Sequence, residues 1–271
     1  MALEAYLDTP LFLRSTRHLT LTDAGETLLV RARQILDSLV DAQHELASMK
    51  GVVTGTIRVA CFPTFGKHYV LPIMGELVRQ YPDLRLELDL TERLADPVAE
   101  RLDLVIRIGN MADSTLIGRR IAEQTRVLCA SPDYLAKAGV PATLADISSH
   151  RLIDKLHGAD LLGWADVLGH QARIANAPLV FGCDDFDAMR LAAQEGIGIA
   201  YLPDWVVGAD IKAGRLCQIF PEWSEQPVAS TGIYALRALR HPPARVTVFL
   251  DALRAYLGHP YIWALNDSVI K

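Results

Sequence analysis

The residues with the most chemical promise lie in one short loop. Pro63-Thr64-Phe65-Gly66 follows a run of strand-forming residues at 56–61 (Thr-Ile-Arg-Val-Ala-Cys) and leads into residues 68–80, which read as a helix closing at Tyr81-Pro82. A loop that joins a strand end to a helix start presents N–H groups which the helix itself leaves unused, and such groups favour an anion. Thr64 adds a hydroxyl, and Lys67 and His68 add positive field. An ordinary capping turn has the same residues, so both readings stand at this point.

Other chemistry is disfavoured. The chain has eight histidines and four cysteines. No His stands with a second His, Cys or carboxylate at metal-ligand spacing; Cys183 beside Asp184 and Asp185 comes nearest, and no Gly-x-Ser-x-Gly elbow is present. No metal, catalytic residue or cofactor is therefore expected. Gly196-x-Gly198 precedes a strand-like run and lacks a third glycine, so it suits a helix end and strand entry better than a dinucleotide. Cys61, Cys129, Cys183 and Cys217 lie far apart without a Cys-x-x-Cys pair and read as reduced, buried thiols in a cytoplasmic protein, a setting in which the glycosylation-type triplet Asn266-Asp267-Ser268 has no meaning.

The elements that must hold the loop follow from patterning. With 271 residues, 51% hydrophobic and 22% charged, the chain suits one or two globular domains. A net charge of -5 excludes nucleic-acid binding over the whole surface, and no apolar run reaches the roughly 20 residues of a membrane span. Leu84, Leu86, Leu88 and Leu90 alternate with Arg85, Glu87, Asp89 and Thr91, a period of two. Strand, helix, strand in that order implies an α/β fold with a parallel sheet. Residues 96–101 read as a short helix, 102–108 as a strand, 126–130 as a strand, and 133–138 as a helix. Further strands are expected near 152–154, 173–175, 179–183 and 233–239. Asp184 or Asp185 caps a helix to Gln194, and residues 243–257 form the last helix.

Residues 22–49 read as one long helix capped by Thr22, with Asp23 and Glu26 in its first turn. Leu28, Ala32, Ile35, Leu39, Ala42, Leu46 and Met49 recur at intervals of 4 and 3, which keeps one narrow apolar seam. The seam fits either a partner helix or the helix's own core. The isolated segment, a rod of roughly 40 Å, is marginal in water, so something must cover it. Ahead of it, residues 11–21 pattern as a small hairpin with Arg14, Arg17 and His18 at its tip.

Residues 3–17 (Leu-Glu-Ala-Tyr-Leu-Asp-Thr-Pro-Leu-Phe-Leu-Arg-Ser-Thr-Arg), followed by Leu21-Thr22-Asp23-Ala24-Gly25, resemble the latter part of the winged helix-turn-helix and the linker-helix start of LysR-type transcriptional regulators. Arg101-Leu102-Asp103-Leu104-Val105-Ile106-Arg107-Ile108-Gly109 is similar to the same family. So is Glu195-Gly196-Ile197-Gly198-Ile199-Ala200-Tyr201-Leu202-Pro203, close to its Gly-Ile/Leu-Gly-Ile-Ala-x-Leu-Pro signature. The resemblance runs over about residues 3–258, and the tail 259–271 matches nothing.

What the resemblance implies is specific. Residues 1–21 would be a remnant of the winged helix-turn-helix and 22–50 the linker and dimerisation helix. Residues 55–125 with 233–258 would form one effector-binding subdomain and 126–232 the other, as in periplasmic-binding proteins. The chain would sense a small molecule between these subdomains and control transcription as a dimer or tetramer, without membrane association. Pro63, Thr64, Phe65, Gly66, Arg107 and Gly109 would line the cleft from the first subdomain, and Ser131, Asp184 and Asp185 from the second. Arg107 has a structural salt bridge as its competing reading, and the Asp184-Asp185 pair a helix cap. Arg14, Arg17 and His18 would meet DNA phosphates, or be solvated hairpin charges. The sequence departs from the family by starting after the half of the recognition helix that meets base edges. DNA recognition is therefore expected to be impaired in this chain, with DNA a partner of a full-length form. The alternative is a stand-alone binding module or hetero-dimer partner that does not bind DNA.

Overall fold

The computed structural model describes residues 2–14, 19–48, 52–110, 116–156, 164, 178–221, 231–237 and 242–265. Helix α1 (Ala2–Leu7) leads into the hairpin β1 (Phe12–Arg14) and β2 (Leu19–Leu21), where Phe12 opposes Leu21. The tip residues Arg17 and His18, and the side chain of Arg14, lie outside the described residues.

Helix α2 (Asp23–Ser48) starts where Thr22 Oγ1 accepts the N–H of Gly25 at 3.0 Å, the expected cap. Gly25 has to be glycine: a Cβ there would meet Leu11 O at 2.1 Å. Along the rod Ile35, Leu39 and Leu46 are exposed by 57–70%, as are Val30, Leu36 and Val40 by 46–61%. Leu29, Leu36 and Val40 widen the apolar stripe beyond the narrow seam. Leu28 and Ala32 are half-buried and Ala42 is exposed; Met49 lies outside the described residues.

Two five-stranded sheets follow. The first has the order β4-β3-β5-β12-β6, built from β3 (Gly55–Cys61), β4 (Leu84–Leu90), β5 (Leu104–Asn110), β6 (Ile117–Glu123) and the returning β12 (Thr231–Arg237). Strands β4 and β5 run parallel to β3, whereas β12 is antiparallel to β5 and β6. Strand β4 is an edge strand with one covered face, which is why its leucines alternate with charges. The second sheet has the order β11-β7-β10-β8-β9, from β7 (Arg126–Ala130), β8 (Leu152–Lys155), β9 (Leu179–Cys183), β10 (Ile199–Pro203) and β11 (Cys217–Ile219).

Helices cover both. After β3 the chain coils as α3 (Pro63–Phe65), a π-helical turn (Gly66–Val70) and α4 (Leu71–Gln80), so the helix starts five residues before the expected His68. Within it Leu71 N–H donates to Gly66 O, an i to i+5 bond. Pro72 carries no N–H and its ring crowds the preceding turn, and the widened turn accommodates it. Helix α5 (Pro132–Ala138), α6 (Phe186–Gln194) and α7 (Asp204–Lys212) serve the second sheet, and α8 (Ala244–Leu257) packs back on α4 and β3.

One expectation needs correction. Residues 96–101 form turns, not a helix: Asp96 Oδ1 accepts Val98 and Ala99 N–H, and Arg101 then adopts φ +55°, which ends any coil. Strands β6 and β11 and helix α7 were not read from the pattern. The strand expected at 173–175, and the triplet 266–268, lie outside the described residues.

One apolar core crosses the boundary between sheets. Ile57, Val59, Phe65, Leu77 and Phe249 from the first continue into Phe186, Met189, Leu202 and Trp205 from the second. The tail closes the seam from behind: Trp263 is 1% exposed, its indole 4.9 Å from the Tyr69 ring, and Lys212 Nζ donates to Ile262 O at 2.9 Å.

Candidate effector cleft

In parallel α/β sheets ligands bind beyond the carboxyl ends of strands. Here those ends meet across a cleft: Cys61 of β3 and Leu90 of β4 from one sheet, Lys155 of β8 and Cys183 of β9 from the other. The start of α3 faces the start of α6. Their aromatic rings touch, with Phe62 5.2 Å from Phe186 and 6.2 Å from Trp205.

Ion pairs tie the two sides. Lys67 Nζ lies 3.5 Å from Asp185 and 3.4 Å from Asp187, and His68 Nε2 lies 2.9 Å from Asp187. Burial opposes ionisation of Asp187, yet His68, Arg190 and Lys67 together hold its carboxyl down to about 2. In the other direction Lys155 Nζ reaches Glu92 Oε2 at 2.8 Å and Oε1 at 2.9 Å. That ammonium also donates to Asp184 O at 2.7 Å and lies 4.7 Å from the Phe186 ring centre and 5.1 Å from that of Phe62. Beside it Arg126, 9% exposed, sits over the rings of Phe186 and Tyr201 and donates to Tyr201 O at 3.2 Å. Burial raises the carboxyl of Asp154 above its ordinary value, against the pull of the Lys155 N–H and of Arg126.

Thr64 is wholly buried at this turn, and its Oγ1 has no hydrogen-bond partner among the described residues. A buried polar group left unpaired costs about 1–3 kcal/mol. Pro63 stands in the first helical turn, where its missing N–H is no loss, and Phe62 supplies no side-chain cap.

Comparison with known proteins places this architecture. Residues 50–258 match the family model described as the LysR substrate binding domain. The HTH-type transcriptional regulator DmlR of Escherichia coli K12 is 32% identical over 262 residues, covering 96% of this chain and 84% of the relative. PtxR of Pseudomonas aeruginosa, another HTH-type transcriptional regulator, is 30% identical over 260 residues, 94% of this chain and 81% of its own length. Among solved structures, CrgA, a LysR-type regulator from Neisseria meningitidis, superposes with TM-score 0.68 at 28% identity, covering 95% of this chain and 87% of its own. Full-length AphB, a Vibrio cholerae virulence activator, gives 0.62 at 27% identity, with 94% and 87% covered.

The chain belongs to the LysR family.

Within this LysR-type regulator the expected site residues differ in where they stand. Pro63, Thr64, Asp184 and Asp185 stand at the cleft. Asp185 caps α6, accepting Ala188 N–H at 2.8 Å, which is the cap expected of the acidic pair. Phe65 and Gly66 are walls: Phe65 is fully buried against Tyr69 and Trp205, and a Cβ on Gly66 would meet Leu90 at 2.3 Å. Arg107 is half-buried one residue past the level of Cys61, opposite Tyr234, and no ion pair to it is present among the described residues. Gly109, with φ +122°, pairs with Gly232.

Ser131 is displaced from its expected place. Strand β7 runs antiparallel to β10, so its carboxyl end points away from the cleft and its first residue, Arg126, points toward it. Ser131 instead caps α5, accepting Tyr134 N–H at 3.3 Å, beside Gly196 and a cavity of about 410 Å³ lined in part by Arg151, Gln194 and Gly196. The sequence reading gives residues 126–130 no direction in the sheet, and the antiparallel run of β7 is what moves Ser131 away and brings Arg126 in.

Lys155, Glu92, Asp187 and Phe62 were also missed. The signal for Lys155 was present: a strand ending in Asp154-Lys155 at the carboxyl rim of a parallel pair. The cysteine reading needs correction in part. All four are free and burial pushes Cys61 and Cys129 up, the latter to about 12, but Cys183 and Cys217 are only half-buried.

Proposed function

We propose that the cleft is the effector site of this transcriptional regulator, and that a small molecule seats there against the Thr64 hydroxyl, with Pro63, Arg107, Asp184 and Asp185 around it. The observation that carries the reading is Thr64 Oγ1, buried at the carboxyl end of β3 without a hydrogen-bond partner among the described residues. The ion pairs across the cleft supply the means of response: a ligand that separates or tightens the two sheets changes their angle, and so biases a two-state equilibrium. The site serves recognition, in keeping with relatives that are transcriptional regulators.

Helix α2 carries the response outward. Leu28, Ala32, Ile35, Leu39, Ala42 and Leu46 pair it with the same helix of a second copy, with Met49 continuing the seam, and the resulting dimer or tetramer works on DNA in the cytoplasm. The relatives are transcriptional regulators, which does not favour a binding module that works without DNA. Residues 55–125 with 233–258, and 126–232, act as the two moving halves.

The test is a thermal-shift screen of a metabolite library against the protein and its Thr64→Val variant. Val keeps the volume and removes the hydroxyl. A hit that stabilises the parent and loses most of that shift in the variant supports the reading. Hits that stabilise both equally refute it.

A further inference from the structure

We infer that the cleft takes an anionic small molecule, with a carboxylate as the simplest form, and that Glu92 is a built-in competitor for the cation that would hold it, Lys155. The inference rests on the cleft being the effector site.

Lys155 ends β8 with a side chain only 9% exposed, between the rings of Phe62 and Phe186. An ammonium taken this far from water needs a counter-charge. Among the described residues, its own subdomain does not supply one. Asp154 Oδ1 accepts the Lys155 backbone N–H, and Asp184 offers its carbonyl, with its carboxylate oxygen Oδ1 near Cys183 Sγ. The carboxylate on the ammonium comes from across the cleft, from the loop after β4, and both its oxygens are within 2.9 Å.

The pair is asymmetric. Glu92 is 35% exposed where Lys155 is 9%. The loop that carries Glu92 is fixed independently by Arg93, which pairs with Glu100 and, at 3.2 Å, with Asp89. Glu92 can therefore turn into water while its backbone stays in place, whereas Lys155 stays enclosed. A ligand carboxylate entering between the strand ends would occupy the place of the Glu92 carboxylate, with the positive charge of Arg126 on the same floor. An uncharged ligand would leave Lys155 with Glu92 and gain nothing from either cation. The bridge thus sets both a class, since only an anion displaces an anion, and a threshold, since the ligand must outbind an intramolecular partner held at high effective concentration.

The experiment uses the full chain, its E92Q, K155M and E92Q/K155M variants, and a panel of mono-, di-, hydroxy- and aromatic carboxylates with the matching primary amides as uncharged controls. Binding is read by calorimetry and thermal shift. At least one carboxylate binds, E92Q binds it about tenfold more tightly, and K155M at least tenfold more weakly. The double variant leaves no unpaired charge, so it folds and still fails to bind the carboxylate. No carboxylate binding in either the parent or E92Q overturns the inference. So does an amide that binds as well as its acid, or a double variant that binds like the parent. If binding survives loss of Lys155 but disappears in Thr64→Val, the cleft reading stands and the anion class falls. If it survives both, the cleft reading falls too.

Discussion

Leu39→Asp is the sharpest test of how α2 is used. Leu39 is 57% exposed, with Ile35 and Leu46 on the same row exposed by 70% and 63%. At ~1.5–3 kcal/mol for each Leu taken from water, a symmetric pairing that buries Leu39 twice loses about 3–6 kcal/mol on substitution. Two carboxylates brought into the apolar seam add to that. The dimer constant should weaken by about two to four orders of magnitude. Because the side chain faces solvent in the single chain, the fold itself should lose no more than about 0.5 kcal/mol. Sedimentation equilibrium across a thousandfold range of concentration, with thermal unfolding alongside, separates the two effects. An unchanged dimer mass at micromolar protein would refute the seam. A monomer that also unfolds early would mean that Leu39 is packed within its own chain.

Two other substitutions probe the hinge and the tail. Burial, partly offset by hydrogen bonds from Thr125 and Trp205, pushes the Asp204 carboxyl up to about 6 from 3.8. An acid raised on folding stabilises most below its unfolded value and loses that contribution as pH rises through the folded one. Stability should thus fall by up to about 3 kcal/mol between pH 4 and 7, and Asp204→Asn should flatten that slope in pH-resolved urea melts. An identical slope in the variant would place the titration elsewhere. Trp263→Ala empties a site 1% exposed and should cost about 3–5 kcal/mol, seen as a lower urea midpoint, and a change under 1 kcal/mol would mean that the tail does not brace the fold.

The parts of the fold with a local cause were legible. Thr22 caps α2 because a hydroxyl before an acidic first turn can do little else, and β4 alternates because an edge strand has one wet face. What stayed hidden depends on chain direction in space. Nothing local marks Arg126-Val127-Leu128-Cys129-Ala130 as an antiparallel strand, so the pattern alone can neither remove Ser131 from the cleft nor bring Arg126 to it. The turn at residues 96–101 has a helix-like pattern, and it took the positive φ of Arg101 to stop it. Lys155 and Glu92 are 63 residues apart, and their pairing exists only once two sheets face each other. The tail beyond residue 258 has no periodicity, yet its Tyr261 and Trp263 rings stack at 4.9 Å, because aromatic bracing needs only shape and reach.

The same geometry says where an effector has leverage. The two sheets are joined covalently at Gln124 and Thr125, and there the contacts are buried and mutually locked: Trp205 Nε1 donates to Gln124 Oε1 at 2.8 Å and Thr125 Oγ1 to Asp204 at 3.0 Å. Tyr69 adds a 2.5 Å bond to Trp205 O, and Trp263 packs over that ring from outside. The front of the cleft is held differently, by long side chains at Lys67, His68, Lys155 and Glu92 whose pairs are partly wet. An exposed pair such as Lys67 with Asp185 contributes about 0–1 kcal/mol, and the enclosed Lys155 needs only that Glu92 or a ligand anion stay on it, while opening the rear would expose fully buried indoles. Motion is therefore cheaper at the front than at the rear, so a ligand at the proposed site, acting at Thr64 and Lys155, would need only a modest differential affinity to turn one sheet about the other. A ligand bound at the far cavity beside Ser131 would have to work through α6, whose first turn holds Asp185 and Asp187, and could reach the front only by moving those two carboxylates.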